Sequence, residues 1–295
     1  AVASPGAPAA PKVGKTIPLG VRANGVAVAA DQVWISAYES PVLTRINAKT
    51  SANAGAVDIG EQASDIVAAG DALWVSRSEE GELVRVDARS RKITNRLKTE
   101  QQPTTLAVDS KSVWAGQITR FAGTPDVVER FDRRTGRRIG RFAVPDGVRA
   151  IAVAGGNVYI VNRRKTTVAK HTIDGDLVWN RRVGAEPIDV QAGGGSVWVA
   201  NKSDNTITRV DTGDRTIETL DGGISPEQLV IADGVLWIAA RGDRTLRRID
   251  IKTRQPLGEP LEVGFNPNAL AVAGERVWVN VLGNESLVRV DLGSR

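Results

Sequence analysis

Seven ten-residue blocks, each ending in an aromatic, can be laid under one another along this chain without a gap. GVAVAADQVW ends at Trp34, DIVAAGDALW at Trp74, TLAVDSKSVW at Trp114, AIAVAGGNVY at Tyr159, DVQAGGGSVW at Trp198, QLVIADGVLW at Trp237 and ALAVAGERVW at Trp278. Successive aromatics lie 40, 40, 45, 39, 39 and 41 residues apart. Self-similarity near a period of 40, with several strands per unit, predicts an all-β, seven-bladed β-propeller of four-stranded antiparallel blades.

Each repeat parses into strands A to D. Strand A is the apolar run before the aromatic, such as Val26–Val28 or Leu270–Val272. A tight turn rich in Gly and Asp follows (Gly70-Asp71, Gly155-Gly156, Gly194-Gly195, Asp233-Gly234, Gly274-Glu275), because such residues tolerate the positive φ of a hairpin turn. Strand B carries the aromatic between branched residues. Strand C has its own column: LTRIN, LVRVD, VERFD, VAKHT, ITRVD, LRRID and LVRVD, with a basic residue third in all seven and Asp fifth in five. That Asp is expected to accept hydrogen bonds from backbone N–H groups one or two residues on. The basic column (Arg45, Arg85, Arg130, Lys170, Arg209, Arg248, Arg289) is expected to lay its methylene stems along the neighbouring blade, and the aromatic column to wedge between blades.

The ends of the repeat array predict how the ring shuts. KTIPLG, Lys15–Gly20, matches a strand D ahead of the first strand A, and the chain stops after the seventh strand C. Pairing the two completes blade 7 in a 1+3 arrangement and removes open sheet edges. Residues 14–295 are therefore expected to form a single domain. Residues 1–13, Ala- and Pro-rich, are expected to be a linker or processed tail. The chain holds no methionine, so the expectation is a cleaved mature form or an excised piece. It also holds no cysteine, which excludes disulfides, thiolate metal sites and cysteine nucleophiles. No apolar run reaches the roughly 18 residues of a membrane span.

Segments such as VWVANKSDNTITRVDTGDRTIETL, residues 197–220, resemble the YVTN-type propeller repeat, a relative of NHL and WD40-like propellers. The likeness spans residues 15–291. It implies an extracytoplasmic bacterial binding or sensor module, including the sensor domains attached to membrane Ser/Thr kinases through Pro/Ala-rich linkers. Other propellers of this shape imply enzymes. Lyases acting on cyclic peptide antibiotics rely on histidines and a glutamate, whereas this chain has one histidine, His171, in a strand C packing slot. Lactonase-like propellers hold a metal in the channel, and Asp65 and Asp189, which enter strand A at matching positions, are the metal candidates here. Quinone-dependent propellers imply a vicinal cysteine pair that this chain lacks.

A ligand is expected on the face where the D-to-A and B-to-C connections emerge around the channel mouth. The candidate binding residues there are Asn24, Asp65, Arg77, Thr104, Arg149, Asn162, Arg163, Asp189, Asn201, Lys202, Gln228, Arg241 and Asn268. Basic residues gather in blades 4 to 6 (Arg163, Arg164, Lys165, Lys202, Arg241, Arg244) and acidic ones in blades 1 and 2 (Glu39, Glu79, Glu80), so a dipolar rim is expected. The long blade 3 insertion, with Arg120 and Phe121, is the one loop long enough to act as a flap. The balance of 39 basic against 34 acidic residues gives +5, but exposed interleaved aromatics are too few for nucleic-acid binding. The expectation is a non-catalytic monomer with no cofactor that takes a small polar molecule, peptide or protein. The competing readings are a channel-mouth metalloenzyme and a scaffold domain of a larger protein.

Overall fold

The spare N-terminal strand lies where the ring needs it. In the computed structural model, which describes residues 10–162 and 164–292, Lys12–Pro18 runs antiparallel to Ser286–Asp291, with Thr16 opposite Val288 and Ile17 opposite Leu287. The strand begins at Lys12 and ends at Pro18, slightly N-terminal to the expected Lys15–Gly20, and Leu19 N–H continues the contact to the Glu285 carbonyl at 2.8 Å. Most of the expected linker, residues 1–9, lies outside the described residues.

The remaining strands form six further four-stranded antiparallel sheets in chain order, so the described residues make a seven-bladed β-propeller with almost no helix. The innermost strands are Ala23–Ala29, Asp65–Ala69, Gln102–Val108, Ala150–Ala154, Pro187–Gly193, Pro226–Ala232 and Pro267–Ala273, each touching the next around the ring. The outer strand of blade 6 is cut to Leu261–Glu262.

No single central core holds this ring together. Seven apolar clusters sit between neighbouring blades, and in each the aromatic of one blade enters the apolar set of the next. Trp34 packs with Ile66, Leu73 and Val75 of blade 2, Trp74 with Leu106 and Val113 of blade 3, and Trp114 with Ile151 and Val158 of blade 4. Tyr159, Trp198 and Trp237 repeat this towards blades 5, 6 and 7, and Trp278 closes the circle against Val26, Val33 and Ile35 of blade 1. Where blade 4 has the smaller Tyr159, Trp179 from its outer strand fills in, ring centroids 6.1 Å apart.

The two charged columns are structural, with details the repeat pattern did not show. Arg45, Arg130, Arg209 and Arg248 place their guanidinium groups over the tryptophan of their own blade, 4.9–5.9 Å from the ring centroid, rather than along the neighbouring blade. Register explains it, since each arginine sits directly across the strand pair from that tryptophan. The turn-starting carboxylates accept N–H bonds two and three residues on, not one or two. Asp250 accepts from Lys252 at 2.9 Å and Thr253 at 2.7 Å, and Asp132 from Arg134 and Thr135. These bonds hold Asp132 and Asp250 below the ordinary carboxylate range. Blade 1 makes its tight turn with Ala30 at φ 50° and Asp31 at φ 58°, without the usual glycine.

Candidate functional site

The inner strands enclose a channel of about 410 Å³ walled chiefly by Val, Ala, Leu and Ile, with Asp65, Thr105, Asp189, Gln191 and Gln228 as its polar lining. Strand alternation puts Asp65, Asp189 and Gln228 at equivalent places, two residues before the position opposite each blade's tryptophan. All three use that place to clasp the next blade. Asp65 accepts the Leu106 N–H at 2.8 Å, Asp189 the Leu229 N–H at 2.7 Å and Gln228 the Leu270 N–H at 2.5 Å. Asp65 also accepts its neighbour Ile66 N–H at 2.8 Å.

Burial nonetheless dominates the electrostatics of the pair. Withdrawal from water pushes the Asp65 carboxyl up to about 6, against the pull of its Leu106 and Ile66 N–H bonds. Asp189 rises to about 7, first from burial, then against the Leu229 and Val190 N–H bonds, with the charge of Asp65 adding and that of Arg149 subtracting. The two metal candidates thus share one channel, and Asp189 feels the charge of Asp65. Their oxygens already carry backbone bonds, and among the described residues no group of three or more His, Cys, Asp or Glu side chains is assembled for a metal ion.

Asn24 serves the seam between blades 1 and 2, and Asn268 the seam between the last blade and the first. Asn24 donates to the Ala63 carbonyl at 2.6 Å and accepts from Ser36, while Asn268 and Asn280 both donate to the Ala23 carbonyl, at 3.3 and 2.9 Å. Arg77, Asn162 and Asn201 lie inside their blades, each the last residue of a strand B that is buried along most of its length. Arg77 is committed to Glu82, Asn162 donates to Thr167 at 2.7 Å, and Asn201 donates to Thr208 at 2.8 Å. Thr104 is half-buried within the channel strand of blade 3, and Arg149 is exposed at the rim. Arg163 lies outside the described residues.

The rim is rigid. In five blades a B-to-C N–H donates to the D-to-A carbonyl of the same blade: Tyr38 to Arg22, Arg164 to Asp146, Lys202 to Glu186, Arg241 to Ser225 and Leu282 to Asn266, at 3.0–3.2 Å. Glu186, Ser225 and Asn266 adopt positive φ (51°, 56° and 60°) to present those carbonyls. The expected dipole is largely cancelled locally. Glu227 receives both Lys202 at 3.1 Å and Arg241 at 3.7 Å, Asp146 takes Lys165 at 2.7 Å, and Glu79 pairs with Arg120 at 2.6 Å. The rim also exposes large apolar side chains, Tyr38, Phe121, Ile224 and Phe265, the last with Arg244 5.0 Å above its ring. Phe121 and Tyr38 lie in B-to-C segments recognisable from the repeat, whereas nothing in the repeat singles out Ile224 or Phe265.

Residues 124–291 match the PQQ_2 family, described as outer membrane protein assembly factor BamB. The chain belongs to that family. No curated protein sequence matches significantly. Among solved structures, the chain is similar to virginiamycin B lyase from Staphylococcus aureus, at 14% identity and TM-score 0.78, covering 94% of this chain and 98% of that one. It is similar to Kuenenia stuttgartiensis hydrazine synthase at 14% identity and TM-score 0.76, with 93% and 96% covered. BamB from Moraxella catarrhalis follows at 13% identity and TM-score 0.63, covering 91% of this chain and 85% of that one. At such identities the shared property is the β-propeller fold. The one histidine of this chain is a packing residue. His171 is buried, its Nδ1 is 3.0 Å from the Gly175 carbonyl oxygen, and its ring stacks on Phe142 at 5.6 Å.

Proposed function

We propose that the protein is a non-catalytic binding module whose loop-rich face docks a protein or peptide partner outside the cytoplasm. The observation that carries this reading is the rim itself, a backbone-locked platform from which Tyr38, Phe121, Ile224 and Phe265 project. Rigid aromatic anchors lose little entropy on binding, and single exposed apolar residues around one mouth suit a partner larger than a metabolite. The family description, an assembly factor for outer membrane proteins, supports a role exercised through contacts with other proteins. In this reading residues 14–295 act as one monomeric domain, with no cofactor. The YVTN-like repeats fit a sensor domain carried on a larger protein, including a receptor Ser/Thr kinase. The candidate contacts are the rim residues Arg149, Lys202 and Arg241, while Asp65, Asp189 and Gln228 face any group that enters the channel.

A photo-crosslinking amino acid placed singly at Tyr38, Ile224 and Phe265 tests the reading in the native host. Defined adducts are expected from these sites and not from Ser110 or Asp214, which lie on turns of the opposite face. Adducts that form only at the opposite face would overturn it. The enzymatic reading makes a different demand: cleavage of a cyclic peptide antibiotic by the purified chain, abolished by Asp189→Ala, would replace the binding-module reading altogether.

A further inference from the structure

Of the six arginines in the strand C column, five find an acceptor in the chain. Arg45 donates to the Ala54 carbonyl, Arg85 to the Thr94 hydroxyl at 2.6 Å, Arg130 to Ser112 at 2.8 Å, Arg209 to Asp211 at 2.9 Å and Arg289 to Asp291 at 2.9 Å. In blades 1 and 2 the acceptor belongs to strand D, and in blade 5 strand D adds Glu218, 3.8 Å from Arg209. Arg248 of blade 6 is the exception. It lies over Trp237, 5.8 Å from the ring centroid, with no hydrogen bond or carboxylate partner among the described residues.

The cause is the outer strand of blade 6. It pairs with strand C at Leu261 and Glu262 and meets it again where Pro256 faces Ile249. Between those points residues 258–260 leave the sheet, and Pro256 and Pro260 bring no N–H to a ladder. The departure opens a cavity of about 390 Å³ against the outer strand of blade 5, with Arg248 in its wall. Nε of Arg248 is buried, but Nη1 and Nη2 keep accessible surface and have no partner in the chain. Gly258, at φ 68°, preserves that opening, since a Cβ there would lie 3.1 Å from Nη2. Arg254 shares the wall and has one long contact, 3.6 Å to Glu218. Leu220, Ile249, Pro256 and Pro260 make much of the remainder apolar. Asp221 is taken by Arg247 at 2.7 Å, which leaves the exposed Glu259 as the one lining carboxylate without an ion pair among the described residues. Burial lowers the Arg248 guanidinium from its ordinary value, and no counter-charge offsets it. A half-withdrawn cation with both fork nitrogens open matches the two coplanar oxygens of a carboxylate.

We propose that this cavity, on the perimeter of the ring, binds a carboxylate whose two oxygens accept from Arg248 Nη1 and Nη2, in the place that strand D acceptors fill in blades 1 and 2. Arg254 adds a second positive charge beside it, and the apolar wall takes a short aliphatic chain attached to the carboxylate. The inference does not depend on the loop-rich face being a binding surface. The carboxylate belongs either to a free small acid or to an Asp or Glu side chain on a partner.

The test is a titration of the full chain, followed by NMR of the Trp237 indole N–H and the Arg248 side-chain N–H groups. The probes are butyrate, butyramide, inorganic phosphate and a short peptide with one central glutamate. Butyrate is expected to shift both signals, and butyramide, its uncharged counterpart, to bind at least about tenfold more weakly. Arg248→Lys keeps a cation, as Lys170 does in blade 4, but loses the fork, so butyrate read at Trp237 is expected to weaken about tenfold. Glu259→Gln, an exposed change, removes the neighbouring negative charge and is expected to tighten butyrate about threefold. A glutamate peptide that outbinds butyrate assigns the site to a partner side chain, and equal or weaker binding assigns it to a free acid. Silence at Trp237 and Arg248 up to about 100 mM butyrate, where even a poor fragment saturates, overturns the proposal. So does equal binding of butyramide, or undiminished binding by the Arg248→Lys chain. Phosphate outbinding butyrate would overturn the carboxylate assignment.

Discussion

Blades 3 and 5 fasten themselves to the next blade with the same group in different places. In blade 5, Asp189 does it from the channel, accepting the Leu229 N–H of blade 6 at 2.7 Å. Blade 3 has Thr105 at the equivalent position, and its clasp comes instead from the rim, where Asp126 accepts the Val148 N–H of blade 4 at 2.9 Å. Asp126 also accepts the Thr119 N–H at 3.1 Å, so it ties down the long loop of its own blade. Around it blade 3 buries Gln117 and Glu129, with Gln117 donating to Glu129 and Arg138 pairing with Glu129 at 2.6 Å. The regular blade closes its rim with a backbone bond, Lys202 N–H to the Glu186 carbonyl. The irregular blade replaces that bond with buried side chains, and a long loop is the result.

The largest expected effect follows from that substitution of parts. Asp126→Ala frees two backbone N–H groups in a fully buried site and strands Arg164, 3.5 Å from the carboxylate. A loss of about 2–4 kcal/mol is expected in urea unfolding. Asp189→Ala at pH 8 frees the Leu229 N–H but also removes an ill-placed charge, so about 1 kcal/mol or less is expected. Equal losses at the two sites would mean that the rim and channel clasps are interchangeable.

The second expectation concerns pH. Asp65 and Asp189 titrate at about 6 and about 7 in the folded ring, against roughly 3.9 when unfolded. The folded state therefore binds more protons between pH 4 and 7, and stability falls as pH rises through that window. Full ionisation removes on the order of 1–2 kcal/mol per group after allowance for channel water. Asp189→Asn is expected to flatten the dependence of the urea midpoint between pH 4 and 7. An unchanged slope would show that the channel carboxylates ionise as freely as surface ones.

How much of this was legible divides along the same line. Seven blades, the aromatic wedges, the arginine column and the closing strand follow from spacing and from one strand too many at the start. Those features repeat, and repetition is visible without coordinates. Arg77, Asn162 and Asn201 look like loop residues because each follows the apolar part of strand B, yet that strand runs buried to its end between two blades. Alternation of polar and apolar residues carries little information where both faces are covered. Asp65 and Asp189 were legible as a matched pair, but not as clasps, because a backbone N–H in the next blade leaves no mark on the sequence. The blade 3 network was legible only as an excess length of four to six residues.

The smallest expected effect isolates that length. If Asp126 and Thr119 hold blade 3 together, the residues between them contribute little to stability. Arg120 pairs with Glu79 in the open, a contact worth under about 1 kcal/mol, and Phe121 buries almost nothing against the chain. Replacing Arg120–Thr124 with two glycines keeps the Thr119 N–H within reach of Asp126 and shortens the loop. Loop-closure entropy changes by about 0.6 kcal/mol per twofold change in length, so the two small terms partly offset each other. A Tm within about 2 °C of the parent is expected by calorimetry. A drop comparable to that of Asp126→Ala would assign the fastening of blade 3 to the loop's own packing instead of to the carboxylate beneath it.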